Sequence, residues 1–141
     1  MSDEGLVSKI VMRAASPPGT HRHSNAMYSE KVKSLVANRP NCGPLEGATH
    51  RSRVEHPVCG DLVCLELKIV EGVVESCRFQ ADGCAASVAA AAAVTELVKG
   101  QDPDFCRMLN AEAILDFLGG LPQGKVHGAR IAAEALHAAL K

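Results

Sequence analysis

The chain has no tryptophan, one tyrosine and three phenylalanines among its 141 residues. So few aromatic rings disfavour a base-stacking surface for single-stranded nucleic acid. They also leave the core to Ala, Val, Leu and Ile, which a hydrophobic content of 47% can supply for one compact domain. A dominant charge is missing too: a formal net charge of -1 gives no pull toward phosphates or an anionic membrane beyond local clusters. The longest apolar run, residues 85–94, is broken by Ser87 and falls far short of the roughly 20 residues a membrane-spanning helix needs. Around Asp3, Glu4 and Lys9 there is no apolar core and no cleavage pattern, so a secretory leader is not expected and the cytoplasm is the expected location. A nucleophile elbow and a paired-carboxylate arrangement are also lacking, which argues against a hydrolase. A protein or a metal is the expected partner.

Residues 1–26 combine Ser16, Pro17, Pro18 and Gly19 with His21-Arg22-His23 and show no periodicity, so they read as a disordered extension. The pair His21 and His23 reads as part of an exposed polar tail rather than a metal site. From residue 27 the character changes, and residues 27–141 read as one domain. Ser29 can cap a helix over 30–36 that ends before Asn38-Arg39-Pro40-Asn41.

Residues 62–69 alternate, with Val63, Leu65, Leu67 and Ile69 on one face and Cys64, Glu66 and Lys68 on the other, the signature of a half-buried strand. A second strand is expected over 73–81 with Cys77, Phe79 and Ala81 inward, although Glu75 falls on the same set. Glu71-Gly72 between them suits a tight antiparallel hairpin. If Val70 pairs with Val73, paired numbers sum to 143, which sets Asp61 opposite Asp82 and Cys59 opposite Cys84, unless a bulge shifts the register by one. After Asp82-Gly83, the Ala-rich segment 84–99 reads as a helix stopped by Gly100. Asp102-Pro103 and Asn110 read as further helix starts, Gly119-Gly120 as a stop, and 128–140 as a last helix whose Ile131, Ala135, Leu136, Ala139 and Leu140 form one apolar face. Helices packed on a small antiparallel sheet define an α+β fold.

Six cysteines (42, 59, 64, 77, 84 and 106) without a CxxC pair carry the chemical question. Cys84 stands at a helix N-terminus, where partial positive charge and free N–H groups favour a thiolate. Cys59 and Asp61, one residue apart in Pro57-Val58-Cys59-Gly60-Asp61, can point at a shared centre, and His127 at the mouth of the last helix adds an imidazole. Two thiolates, a carboxylate and an imidazole suit zinc or iron far better than magnesium or calcium. The competing reading makes Cys59 and Cys84 small buried residues. That reading is preferred for Cys42, Cys64, Cys77 and Cys106, with Cys64 on an outer sheet face that a helix could cover. His137 reads as a helix-surface residue and Asp82 as a turn or cap residue.

The ordered motifs Met27-Tyr28-Ser29-Glu30-Lys31-Val32, Pro57-Val58-Cys59-Gly60-Asp61, Gly83-Cys84 and Thr95-Glu96-Leu97-Val98-Lys99-Gly100 resemble the NifU N-terminal domain and IscU scaffold family. The resemblance continues through Leu118-Gly119-Gly120-Leu121-Pro122 and Lys125-Val126-His127 to the final helix. It implies a scaffold, not an enzyme of conventional turnover, that takes sulfur from a cysteine desulfurase together with iron and builds a transient [2Fe-2S] cluster for recipient apoproteins. It further implies Cys59 and Cys84 as cluster ligands, Asp61 as the group that keeps the site labile, His127 as an additional ligand, and zinc as an alternative occupant. The chain departs from the family at Gly128, where a third Cys is usual, and at Gln123 and Gly124 in the segment that chaperones recognise. The first departure removes the usual sulfur acceptor, and the second leaves chaperone delivery unsupported. A homodimer around a shared cluster stays open. Three readings follow: a scaffold or carrier; a zinc-binding paralogue that regulates a desulfurase, in which Gly128→Cys should restore cluster loading; and a sulfur-shuttling activator bearing a persulfide on Cys84 or Cys59.

Overall fold

The computed structural model describes residues 28–57 and 60–141. The expected extension over 1–26 and the candidate ligand Cys59 lie outside the described residues. Helix α1, Glu30–Asn38, starts where expected: Ser29 Oγ accepts the Val32 N–H at 3.1 Å and donates to the Leu118 carbonyl at 2.5 Å, so the cap also fastens α1 to a distant helix end.

Three antiparallel strands in the order β1, β2, β3 form the sheet, with β1 at His50–Glu55, β2 at Leu62–Val70 and β3 at Val73–Asp82. Strand β1 was not expected, because Val54 is its one aliphatic residue. It holds its place as an edge strand by pairing with β2 from His50↔Leu67 to Glu55↔Leu62, and Ser52 Oγ donates to the Ala135 carbonyl at 2.6 Å. Of the expected inward set of β2, Val63, Leu65 and Leu67 are fully buried, and Ile69 is half-buried.

The hairpin turn is the expected one: Val70 pairs with Val73, and Glu71 and Gly72 take φ of 53° and 77°, the double positive φ of a tight two-residue turn. The register beyond it is not. A bulge between Lys68 and Ile69 leaves Glu75 unpaired, so pairs further along sum to 144 and Leu62, not Asp61, is opposed by Asp82. Paired residues share a face of the sheet. Without the bulge Leu65 would stand beside Arg78; with it, Leu65 meets Phe79 and Leu67 meets Cys77, all buried.

Among the described residues, four more helices complete the α+β fold: α2 at Ala85–Val98, α3 at Pro103–Met108, α4 at Ala111–Leu118 and α5 at His127–Ala139. Asp102 and Asn110 cap α3 and α4 by accepting the Phe105 and Ala113 N–H groups, and Gly119 closes α4 in the left-handed conformation. Helix α2 is the centre of the molecule. Its residues 86–95 are all buried, since it packs against β3, α1, α4 and α5 at once. Alanines make that close approach on every side feasible. The expected apolar face of α5 is buried throughout. Among the described residues no helix is long and apolar enough to cross a membrane.

Candidate metal centre

The open end of the β2–β3 hairpin brings the site together. Asp61 stands one residue before β2, held by a tight loop base in which the His56 N–H donates to the Asp61 carbonyl and the Gly60 N–H to the His56 carbonyl, both at 2.7 Å. Continuing the observed register by one step sets Asp61 opposite Gly83. A Cβ at Gly83 would fall 2.3 Å from Asp61 Oδ1, and Gly83 itself has a φ of 151°, so both space and backbone demand glycine there. The next residue, Cys84, is the N-cap of α2 in extended conformation and accepts the Ser87 and Val88 N–H groups on its carbonyl. His127 is the first residue of α5.

Asp61 is only 6% exposed, yet one of its oxygens gathers three side chains. Oδ2 accepts from Ser87 Oγ at 2.8 Å, lies 3.1 Å from His127 Nε2 and accepts from Cys84 Sγ at 3.3 Å. Cys84 Sγ and His127 Nε2 are 3.8 Å apart. Burial pushes the Asp61 carboxyl up, but hydrogen bonds from Ser87, Cys84, His127 and the Cys84 backbone together outweigh it and hold the group below its ordinary value. A buried carboxylate is thereby kept ionised.

This geometry separates two chemistries. In a Cys-His-Asp nucleophilic triad the thiol and the carboxylate address opposite ring nitrogens; here both address Nε2. Three electron-pair donors aimed at one region, all within 4.8 Å of one another, are instead the requirement for a shared cation. An ion about 2.3 Å from sulfur and about 2.0–2.2 Å from nitrogen and oxygen holds tetrahedral ligands about 3.4–3.6 Å apart. The observed 3.1, 3.3 and 3.8 Å bracket that value.

Residues 27–141 match the model of the NifU-like N terminal domain. The chain belongs to that family. Among its relatives, iron–sulfur cluster assembly scaffold protein IscU 1 of Archaeoglobus fulgidus is 38% identical over 114 residues, covering 81% of this chain and 74% of that one. The corresponding IscU of Escherichia coli is 34% identical, covering 80% and 91%. Nitrogen fixation protein NifU of Azotobacter chroococcum is 39% identical, but this chain spans only 37% of its length. Among solved structures, a chain described as an iron–sulfur cluster assembly scaffold for the SUF system of Fervidobacterium islandicum shares the fold with a TM-score of 0.68 at 22% identity, covering 84% of this chain and all of that one. A NifU-like N-terminal structure from Brucella abortus gives 0.57 at 22%, covering 82% and 85%.

Of the ligands expected in this NifU-like domain, Asp61, Cys84 and His127 converge. Asp82 is exposed and takes no part. Among the described residues, Cys42, Cys64, Cys77 and Cys106 stand apart. Burial, with Cys106 nearby, pushes the Cys77 thiol up to about 12, and burial also raises Cys106 and Cys64. Such thiols stay protonated and are poor ligands. Among the described residues no helix covers Cys64: it lines a cavity of about 390 Å³ on the outer sheet face with Arg51, Arg53, Glu66 and Arg78. Cys42 lies half-buried in the segment crossing beside β3, where its carbonyl accepts from Arg78 at 2.7 Å. His137 is half-buried rather than on the surface, with Nε2 2.8 Å from the Leu109 carbonyl.

Two site residues were not singled out by the sequence. Ser87 looked like an interruption of an apolar run, and only its burial under Asp61 gives it a role. His56, three residues before Cys59 in the sequence, lies with its ring 5.9 Å from that of His127. A lone polar residue in an apolar first helical turn, three positions after a capping Cys, is the signal that could have found Ser87.

Proposed function

We propose that this chain is an iron–sulfur cluster scaffold or carrier, holding iron or a [2Fe-2S] cluster as cargo through Cys59, Asp61, Cys84 and His127 and passing it to recipient apoproteins. The observation that carries the reading is the convergence of a thiol, an imidazole and a buried ionised carboxylate on one point, in a chain related over most of its length to proteins named for that task. Sulfur would come from a cysteine desulfurase, and no covalent turnover of a substrate is required of the chain. It would work in the cytoplasm, without nucleic acid or membrane. One cluster per two chains in the loaded protein would mark a homodimer around a shared cluster. Anaerobic reconstitution with ferric iron and sulfide should produce visible charge-transfer absorption and acid-labile sulfide near a fixed ratio. Colourless protein that also carries no zinc would sink the reading.

A second reading is favoured by one observation. The donor spacing fits a single tetrahedral ion, and α5 meets the site at a glycine rather than a further donor. In that reading the centre holds zinc and the protein modulates a desulfurase. Stoichiometric zinc with no cluster after anaerobic purification would favour it over the scaffold.

A further inference from the structure

Gly128 occupies the first turn of α5, where glycine costs a helix about 1 kcal/mol relative to alanine. Its surroundings account for it. A Cβ at position 128 would lie 2.7 Å from the Ala86 carbonyl carbon, 2.9 Å from the Ala86 oxygen and 2.9 Å from the Ser87 nitrogen. All three are main-chain atoms of the first turn of α2, which cannot swing aside as a side-chain tip can. The two helices therefore meet main chain to main chain at this point. On either side of the contact stand the residues of the centre: His127 directly before Gly128, and Cys84 and Ser87 around Ala86.

We propose that Gly128 is a positioning residue for this centre. By letting α5 close on α2 it delivers His127 Nε2 to 3.1 Å from Asp61 Oδ2 and 3.8 Å from Cys84 Sγ, while Ser87 on the opposing turn fixes the carboxylate at 2.8 Å. Position 128 is thus occupied by the neighbouring backbone and is not a place waiting for a fourth donor. A thiol added there would push the helices apart and carry His127 away from its partners. The inference rests on the metal-centre reading above.

The test compares Gly128→Ala and Gly128→Cys with the unaltered protein, using zinc affinity from chelator competition on reduced protein and far-ultraviolet circular dichroism as the check on folding. Both variants should bind zinc at least about tenfold more weakly, the scale of loss when a ligand's support is removed. In a His127→Ala background the additional loss from Gly128→Ala should shrink to less than about twofold, because a residue acting through His127 has nothing left to position. Equal or tighter binding by Gly128→Cys would overturn the proposal, and so would losses from Gly128→Ala and His127→Ala that simply add. Should the variants fail to fold, nuclear Overhauser effects between the Gly128 α-protons and the Ser87 amide of the unaltered protein decide it: their presence supports the contact, and their absence refutes it. If the unaltered protein binds no zinc, the metal-centre reading itself has failed. If it binds zinc and Gly128→Cys binds as well, only the positioning role has.

Discussion

The two ends of the β2–β3 hairpin are made of the same chain and answer to different constraints. At the turn end, Val70 and Val73 flank Glu71-Gly72, both valines are about 40% exposed, and nothing but the turn geometry is at stake. At the open end, Asp61 is buried against Gly83, Cys84, Ser87 and His127, and a single added methyl group at Gly83 has nowhere to go. The bulge at Lys68/Ile69 links the two. It absorbs Glu75 near the turn so that, several pairs away, Gly83 rather than Asp82 confronts Asp61. Two carboxylates would otherwise be neighbours across the ladder, and like charges directly opposite are destabilising. Irregularity is tolerated where the chain is exposed, and regularity from Lys68 onward is what the site receives.

The largest expected effect breaks the open end outright. Gly83→Ala must accommodate both a φ of 151° and a Cβ in contact with the Asp61 carboxyl. It should lower stability by about 3 kcal/mol or more, read from urea unfolding, and abolish detectable zinc binding. Next, Ser87→Ala leaves the fold in place but frees the Asp61 carboxylate to turn. Metal affinity should drop about 10–100-fold, the range for losing a hydrogen bond that orients a ligand, while Ser87→Thr should recover part of it. Unchanged affinity in Ser87→Ala would show that Ser87 only fills space.

The third prediction contrasts a core thiol with a site thiol. Cys77 is held protonated up to about 12, against an ordinary value of 9.0, so its burial contributes stability that is complete below pH 9 and is lost as pH rises from there toward 12. Unfolding free energy of the metal-free protein should decline over that window, and Cys77→Val should flatten the decline. In the same protein at pH 8, iodoacetamide should modify half-buried Cys84 well before Cys77 or Cys106, as mass spectrometry of tryptic peptides would show. The smallest effect belongs to the turn end. Deleting Glu75 removes the bulged residue without altering any pair beyond it, so metal affinity should stay within about threefold of the unaltered protein, a change of less than about 0.7 kcal/mol. A large loss would mean that the bulge does more for the open end than set its register.

Much of this was legible in the residues. The caps Ser29, Asp102 and Asn110 marked three helix starts because a short polar side chain before an apolar period has one good use there. The faces of β2 and β3 were legible too, and they contained the bulge: Leu65 and Leu67 can share a face with Phe79 and Cys77 only if one residue drops out of the pairing. Counting from the turn alone ignored that condition. Strand β1 was hidden because an edge strand with Arg51, Arg53 and Glu55 outward needs little hydrophobic pattern of its own; its partner β2 supplies the order.

At the site, the sequence by itself determined which donors were available and roughly where they fall: Cys59 and Asp61 at the entry to β2, Cys84 at the head of α2 and His127 at the head of α5. Spacing and helix propensity are local properties, and local properties survive in a string of letters. Only the tertiary structure decided that Ser87 holds Asp61, that Gly83 makes room for it and that Gly128 brings α5 within main-chain contact of α2. Each of these is a contact between residues 22 to 42 positions apart, set by how closely two backbones approach, and a missing Cβ announces itself only when the neighbour that needs its space is in view.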